Sequence, residues 1–237
     1  MSEFPHPYRA LGERDLPREP YGPQRRDEPP ADDYDRFGAE AATAALTQRL
    51  RQVQPSAVRL GANGRPVLSP PLSLGRDHFE GPDSTAATLV VFGAFGTPAS
   101  RGIGRMIDGA RERHAATLRV VWRHFPDPEA HPHAVVLALA AEAAAARGHF
   151  WALTRELLRL RHDDPIDLHA AALRAGLDPE RTLDAMRAGT GADRIVDDVA
   201  SALASGVAFS PAVFINGERY EGELDDAASA AVAATGR

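Results

Sequence analysis

Apolar and polar positions follow different rhythms along this chain, and the changes of rhythm divide it. Up to Arg36 there is no periodicity: prolines, arginines and acids follow one another without an apolar stripe. Such a stretch buries too little surface to offset the entropy of ordering it, so residues 1–36 read as a disordered or loosely draped arm. Phe37 to Val53 carries alanines and leucines at helical spacing, with Leu46 and Leu50 four apart, and predicts a short helix. Ala57–Leu60 and Arg65–Leu68 flank Gly61-Ala62-Asn63-Gly64 and predict a hairpin around an Asn-Gly turn. Pieces this small do not make a domain. Residues 37–75 are therefore an extension expected to pack on the larger unit or on a partner.

Residues 76–237 alternate strand and helix signals. Ala87-Thr88-Leu89-Val90-Val91-Phe92 is a continuous apolar run, which predicts a central strand covered on both faces. Thr97-Pro98 then predicts a helix to about His114, with Thr97 as N-cap and Pro98 at the first helical position. Leu118–Arg123 reads as a second strand. A helical block of about 133–205 follows, in pieces near 133–146, 149–161, 166–175, 179–188 and 191–205. The breaks fall at Gly148, Asp163-Asp164-Pro165, Gly176 and Gly189–Gly191. Ala212–Ile215, the Asn216-Gly217 turn and Glu218–Tyr220 predict two more strands, and Asp225–Thr235 a closing alanine-rich helix. This order predicts an α/β fold, a mixed sheet with helices on both faces.

Composition adds exclusions. The chain of 237 residues has no cysteine and no lysine, and all 27 basic residues are arginine. Disulfides, Cys-ligated metals, a cysteine nucleophile and thiol redox chemistry by its own side chains are thereby excluded, as are Schiff-base catalysis and a P-loop. Eleven of the 19 prolines lie in residues 1–75, where ten arginines balance ten acids. The net charge of −6 thus belongs to residues 76–237, which argues against a broad nucleic-acid or anionic-membrane surface. No segment has the apolar length of a membrane span, and Met1–Arg36 lacks the apolar core of a signal peptide. A cytoplasmic protein is expected.

Several stretches together are similar to the DsbA-like branch of the thioredoxin superfamily. Asp77-His78-Phe79-Glu80-Gly81-Pro82 resembles that family's entry segment. Arg123-His124-Phe125-Pro126 with His131-Pro132-His133-Ala134 resembles its second strand and the loop into its helical block. Gly148-His149-Phe150-Trp151 resembles the opening of the next helix, and Val207–Gly217 the segment holding its cis-proline, here Pro211. The resemblance covers residues 77 to about 226 and implies a thioredoxin-like fold with a DsbA-type helical insertion. The subgroup it points to includes bacterial stand-alone members and domains fused to sodium/proton antiporters; nothing in this chain suggests an attached membrane domain.

The departure is chemical. Family members carry Cys-Pro-X-Cys at the start of the first helix, where this chain has Thr97-Pro98-Ala99-Ser100, and Ala94 and Gly96 stand where relatives often have acids. Without a thiolate, and without a second thiol to resolve a mixed disulfide, the family's oxidoreductase chemistry is excluded. Amides at the helix start, the Thr97 and Ser100 hydroxyls and the backbone of Ser210 before Pro211 remain as a cradle for an anion, an external thiol or an extended peptide. The plain alternative makes Thr97 an N-cap and Ser100 a solvated first-turn residue. Kappa-class glutathione transferases and hydroxychromene-carboxylate isomerases share the DsbA-like scaffold, and in them a serine at the first motif position holds the glutathione sulfur; Thr97 could imitate it, although the flanking motifs here look closer to the disulfide-oxidoreductase subgroup.

His124, His131 and His133, with Asp127 and Glu129 between them, invite a metal reading, against which stands ordinary capping and loop hydrogen bonding. Asp163-Asp164, Asp197-Asp198 and Asp225-Asp226 read as caps and turns, Ala140–Ala146 as tight helix packing, and Gly102 and Gly104 as neutral drift, the alternative being a mobile turn near the site. The expectation is a redox-inactive peptide- or protein-binding, chaperone-like module using Thr97, Pro98, Ala99, Ser100, Ser210 and Pro211. It needs no cofactor, binds neither nucleic acid nor membrane, and has scope for a homodimer. A thiol-dependent transferase or isomerase is the runner-up, with a low-molecular-weight thiol as its partner. A third reading is a remnant whose role lies on another surface.

Overall fold

The computed structural model describes residues 38–161 and 166–236. The arm expected over residues 1–36 and the break expected at Asp163-Asp164-Pro165 lie outside them. The elements run α1 (Glu40–Gln52), β1 (His78–Glu80), β2 (Ala87–Gly93), α2 (Ser100–His114), β3 (Leu118–His124), α3 (His133–Ala145), α4 (Phe150–Arg159), α5 (Leu168–Arg174), α6 (Pro179–Arg187), α7 (Ala192–Ala204), β4 (Ala212–Ile215), β5 (Glu218–Tyr220) and α8 (Ala227–Ala233), the last entered through a 3₁₀ turn.

The five strands form one sheet in the order β1-β3-β2-β4-β5. Only β2 and β3 are parallel, paired from Ala87 with Leu118 to Gly93 with His124. The other pairs are antiparallel. Period-two alternation of the strands sends side chains to two separate cores. Leu89, Val91, Val120 and Trp122 enter one, against α2, α3, α4 and α8. Val90, Phe92 and Val121 enter the other, with Leu46 and Leu50 of α1 and Ile195 and Val199 of α7. Arg123 faces this second core; His124 shares the face of Trp122. Helix α3 is buried from Ala134 to Ala144, and its alanines let α4 and α6 approach.

Three elements differ from the pattern. Strand β1 has no apolar alternation and is recruited by pairing His78 with Trp122 and Glu80 with Val120. The hairpin at 57–68 is reduced to a tight loop with a single bridge between Leu60 and Pro66. Its second arm turns outward: Leu68 N–H donates to Gly217 O at 2.8 Å, and Arg219 N–H to Pro66 O at 3.3 Å, so residues 66–68 lie along β5. Helix α2 starts at Ser100, with Ala99 as N-cap, so Thr97 is not its cap.

Candidate functional site

Residues 94–100 leave the end of β2 and lead into α2. Because Phe92 pairs with Ala212, Pro211 and Ser210 continue from β4 past the same end of the sheet. The Ser210–Pro211 peptide is cis. The fold thus brings Thr97, Pro98, Ala99 and Ser100 to the sheet end shared with Ser210 and Pro211.

The two hydroxyls are buried, Thr97 at 6% exposure and Ser100 at 0%. Ser100 Oγ donates to Ala94 O at 3.1 Å and accepts the Thr97 N–H at 2.9 Å. A hydroxyl has one proton, so at the 3.1 Å contact between the two oxygens Thr97 Oγ1 is the donor. Both hydroxyl protons are consumed internally. Ser100 is therefore no solvated first-turn residue, and Thr97 has no proton to offer an incoming sulfur. Ser100 N–H is likewise taken, by Thr97 O at 3.0 Å. The cis-proline side is less satisfied: Ser210 Oγ is buried without a hydrogen-bond partner, and Phe209 is 47% exposed.

A second polar cluster crosses the sheet under this end. Arg123, fully buried, donates to both Asp77 oxygens at 2.8 and 2.9 Å, to Pro70 O at 2.9 Å and to Ser201 Oγ at 2.8 Å. Burial alone would raise the Asp77 carboxyl, but the Arg123 guanidinium holds it below its ordinary value. Asp198 accepts from Arg76 at 2.7 Å and from the His124 amide at 2.9 Å; burial nonetheless pushes its carboxyl up. On the other face, Glu142 Oε1 lies 2.7 Å from His78 Nε2 and 2.9 Å from His124 Nε2. Against the penalty of burial, these two rings hold the Glu142 carboxyl down at about 2.

Two imidazoles and a carboxylate at such distances have the donor types of a zinc site, and the three ligand atoms lie within 4.8 Å of one another. The tautomer does not fit. Trp122 Nε1, which can only donate, points at His124 Nδ1 at 3.2 Å, so that nitrogen bears no proton and Nε2 carries it toward Glu142. Metal at Nε2 would need the opposite tautomer and would set two donors against each other. The cluster is a hydrogen-bonded brace. The alternative metal reading of His124, His131 and His133 gains no group of its own among the described residues: His124 joins His78 and Glu142, and His131 and His133 lie outside that group.

None of His78, Glu142, Asp77 and Asp198 was singled out from the sequence as a site residue. The one signal for Glu142 was its place as the sole acid in the apolar run from Ala134 to Ala146. Gly191, at φ +79°, is the position against which it packs: a Cβ there would lie 2.3 Å from Glu142 Cβ.

A mixed five-stranded sheet, helices on both faces and a helical block between β3 and β4 define the class, an α/β thioredoxin-like fold of the DsbA type. Residues 77–232 match the family described as Thioredoxin, and the chain belongs to that family. BdbD from Bacillus subtilis superposes with a TM-score of 0.61 at 15% identity, over 76% of this chain and 98% of that one. A thioredoxin-like oxidoreductase from Silicibacter pomeroyi DSS-3 gives 0.59 at 21% identity, over 67% and 91%. At these identities the likeness shows the fold alone.

In sequence, Na(+)/H(+) antiporter NhaA 1 of Mycolicibacterium gilvum is 36% identical over 68% of this chain and 28% of its own length. Na(+)/H(+) antiporter NhaA 3 of Salinispora tropica is 37% identical over 79% of this chain and 29% of its own. The chain thus spans less than a third of these curated relatives. Among the described residues, no helix is long and apolar enough to cross a membrane. With no cysteine anywhere in the chain, thiol–disulfide exchange by its own side chains does not occur.

Proposed function

We propose that this protein is a redox-inactive binding module, in which Thr97-Pro98-Ala99-Ser100 holds the place of the family's Cys-Pro-X-Cys. An extended peptide docks alongside Phe209 and Ser210. One observation carries the reading. Among the described residues the backbone of Ala208, Phe209 and Ser210 forms no hydrogen bond within the chain, while the Phe209 ring stands 47% exposed beside it. This stretch, bent at Phe209 and Ser210, offers unpaired main-chain groups for affinity and an exposed aromatic ring for selectivity. The saturated hydroxyl pair makes the old reactive centre a closed floor under that stretch, without chemistry of its own. The same saturation counts against the thiol-dependent transferase, because Thr97 would have to break its bond to Ser100 before holding a sulfur.

Titrating the full chain with a library of fluorescent extended peptides tests the reading. Saturable binding is expected, unchanged by reductant and about tenfold weaker or more in Phe209→Asp, since apolar anchors dominate such contacts. If no peptide binds, or if the Asp variant binds as well as the parent, the reading is wrong. Calorimetry with glutathione is expected to give no heat.

A further inference from the structure

We infer that the cleft between the first half of α2 and α4 binds a compact polyanion of the diphosphate class, at a site separate from the peptide groove proposed above. The cleft has a volume of about 170 Å³ and is lined by Arg101, Arg105, Arg155 and Arg159, with Asp108 as its one acid. Gly104 makes the floor: a Cβ there would come within 3.3 Å of Leu158 Cβ, so glycine sets how closely the two helices approach.

The four arginines are not equivalent. Arg155 is paired with Glu80 at 3.0 Å and Arg159 with Glu156 at 2.8 Å. Arg101 and Arg105 are exposed and form no ion pair or hydrogen bond among the described residues. They lie four apart on α2, which places them on one face within reach of a single ligand.

Two like charges four apart on a helix repel each other in the free protein, and Arg101 is the worse placed. The first turn of α2 holds no acid, and Arg101 adds a cation where the helix dipole is already positive. A bound anion would relieve both. The surplus is local, because the whole chain carries a net charge of −6. That the residues are arginine carries no information in a chain without lysine; their unpaired placement does. Size narrows the ligand: pockets that enclose drug-sized ligands run from about 300 to 1,000 Å³, so this smaller cleft suits two linked anionic groups with little attached.

The test is calorimetric titration of the full chain with sodium pyrophosphate at low ionic strength, beside orthophosphate. We expect one site per chain, weaker for orthophosphate, with affinity falling as salt rises. Arg101→Gln/Arg105→Gln should bind about tenfold more weakly or worse, as removal of charge-assisted contacts implies. Arg59→Gln/Arg65→Gln, which removes the same charge from another exposed region, should bind normally. A thermal melt gives an independent readout: pyrophosphate should raise the midpoint of the parent and leave that of Arg101→Gln/Arg105→Gln unmoved. Absence of binding overturns the inference, as does equal weakening in both double variants, which would mean a diffuse field. The peptide titration with Phe209→Asp fails or succeeds separately.

Discussion

Arg123 is the residue on which most of the buried polar order converges. A guanidinium at 0% exposure is tolerated because Asp77 takes it with both oxygens and the carbonyls of Pro70 and Pro71 and the hydroxyl of Ser201 take what remains. Asp77→Asn leaves that charge without its counterion. Its expected cost is about 3–5 kcal/mol, read by denaturant unfolding, because breaking one side of a buried pair exposes the full desolvation penalty. Glu142 gives a pH signature. Its carboxyl drops from an ordinary 4.5 to about 2 on folding, so its contribution is complete above pH 4.5 and is lost as pH falls through about 2. Asp198, raised by burial, works in the opposite direction and offsets part of that loss. Stability measured across this window should therefore fall less in Glu142→Gln than in the parent. Neither partnership was legible in the sequence: Asp77 and Arg123 are 46 residues apart and His78 and Glu142 are 64; the β1–β3 pairing joins the first pair, and the second needs α3 laid beside those strands, where Glu142 also meets His124.

At the scale of elements, the helices of the insertion were legible almost to the residue, because Gly148, Gly176 and Gly189–Gly191 break the chain between them. The start of α2 was not. Thr97-Pro98 has the local signature of a cap, but Ser100 Oγ takes the Thr97 amide and the helix begins three residues later. If that turn holds the place of the family's redox tetrapeptide, Thr97→Cys/Ser100→Cys should gain the ability to reduce insulin disulfides, with the thiol at position 97 acidified by the helix start. The two glycines of α2, read from sequence as drift, separate here. At Gly102 a Cβ would meet nothing closer than 3.5 Å, so Gly102→Ala should stabilise by about 0.5–1 kcal/mol. At Gly104 the Leu158 side chain stands at 3.3 Å, and Gly104→Val should destabilise by about 1–3 kcal/mol through overpacking. Paired thermal melts would read both signs.

At the scale of the molecule, the extension is knitted into the domain it precedes. Leu46, Leu50 and Leu68 are buried in the second core, Ser69 bonds to Ser201 and Ser205, and the Pro70 and Pro71 carbonyls accept from Arg123. A chain beginning at Arg76 would lose three buried leucines at about 1.5–3 kcal/mol each, a sum comparable to the whole stability of an ordinary domain. It should show no cooperative unfolding transition by circular dichroism. The sequence showed the helix through Leu46 and Leu50, while the elements it packs on, α3, α6 and α7, come from the helical block much later in the chain.

The run of residues 66–68 along β5 reaches beyond folding. A terminal strand ordinarily leaves a ladder of amides and carbonyls that a neighbouring molecule can copy. Here Gly217 O and Arg219 N–H are already engaged by Leu68 and Pro66 of the same chain. The opposite edge, β1, is only three residues long and ends in the charged Glu80. With one border occupied and the other too short to template, the protein should stay colloidally stable when concentrated or crowded.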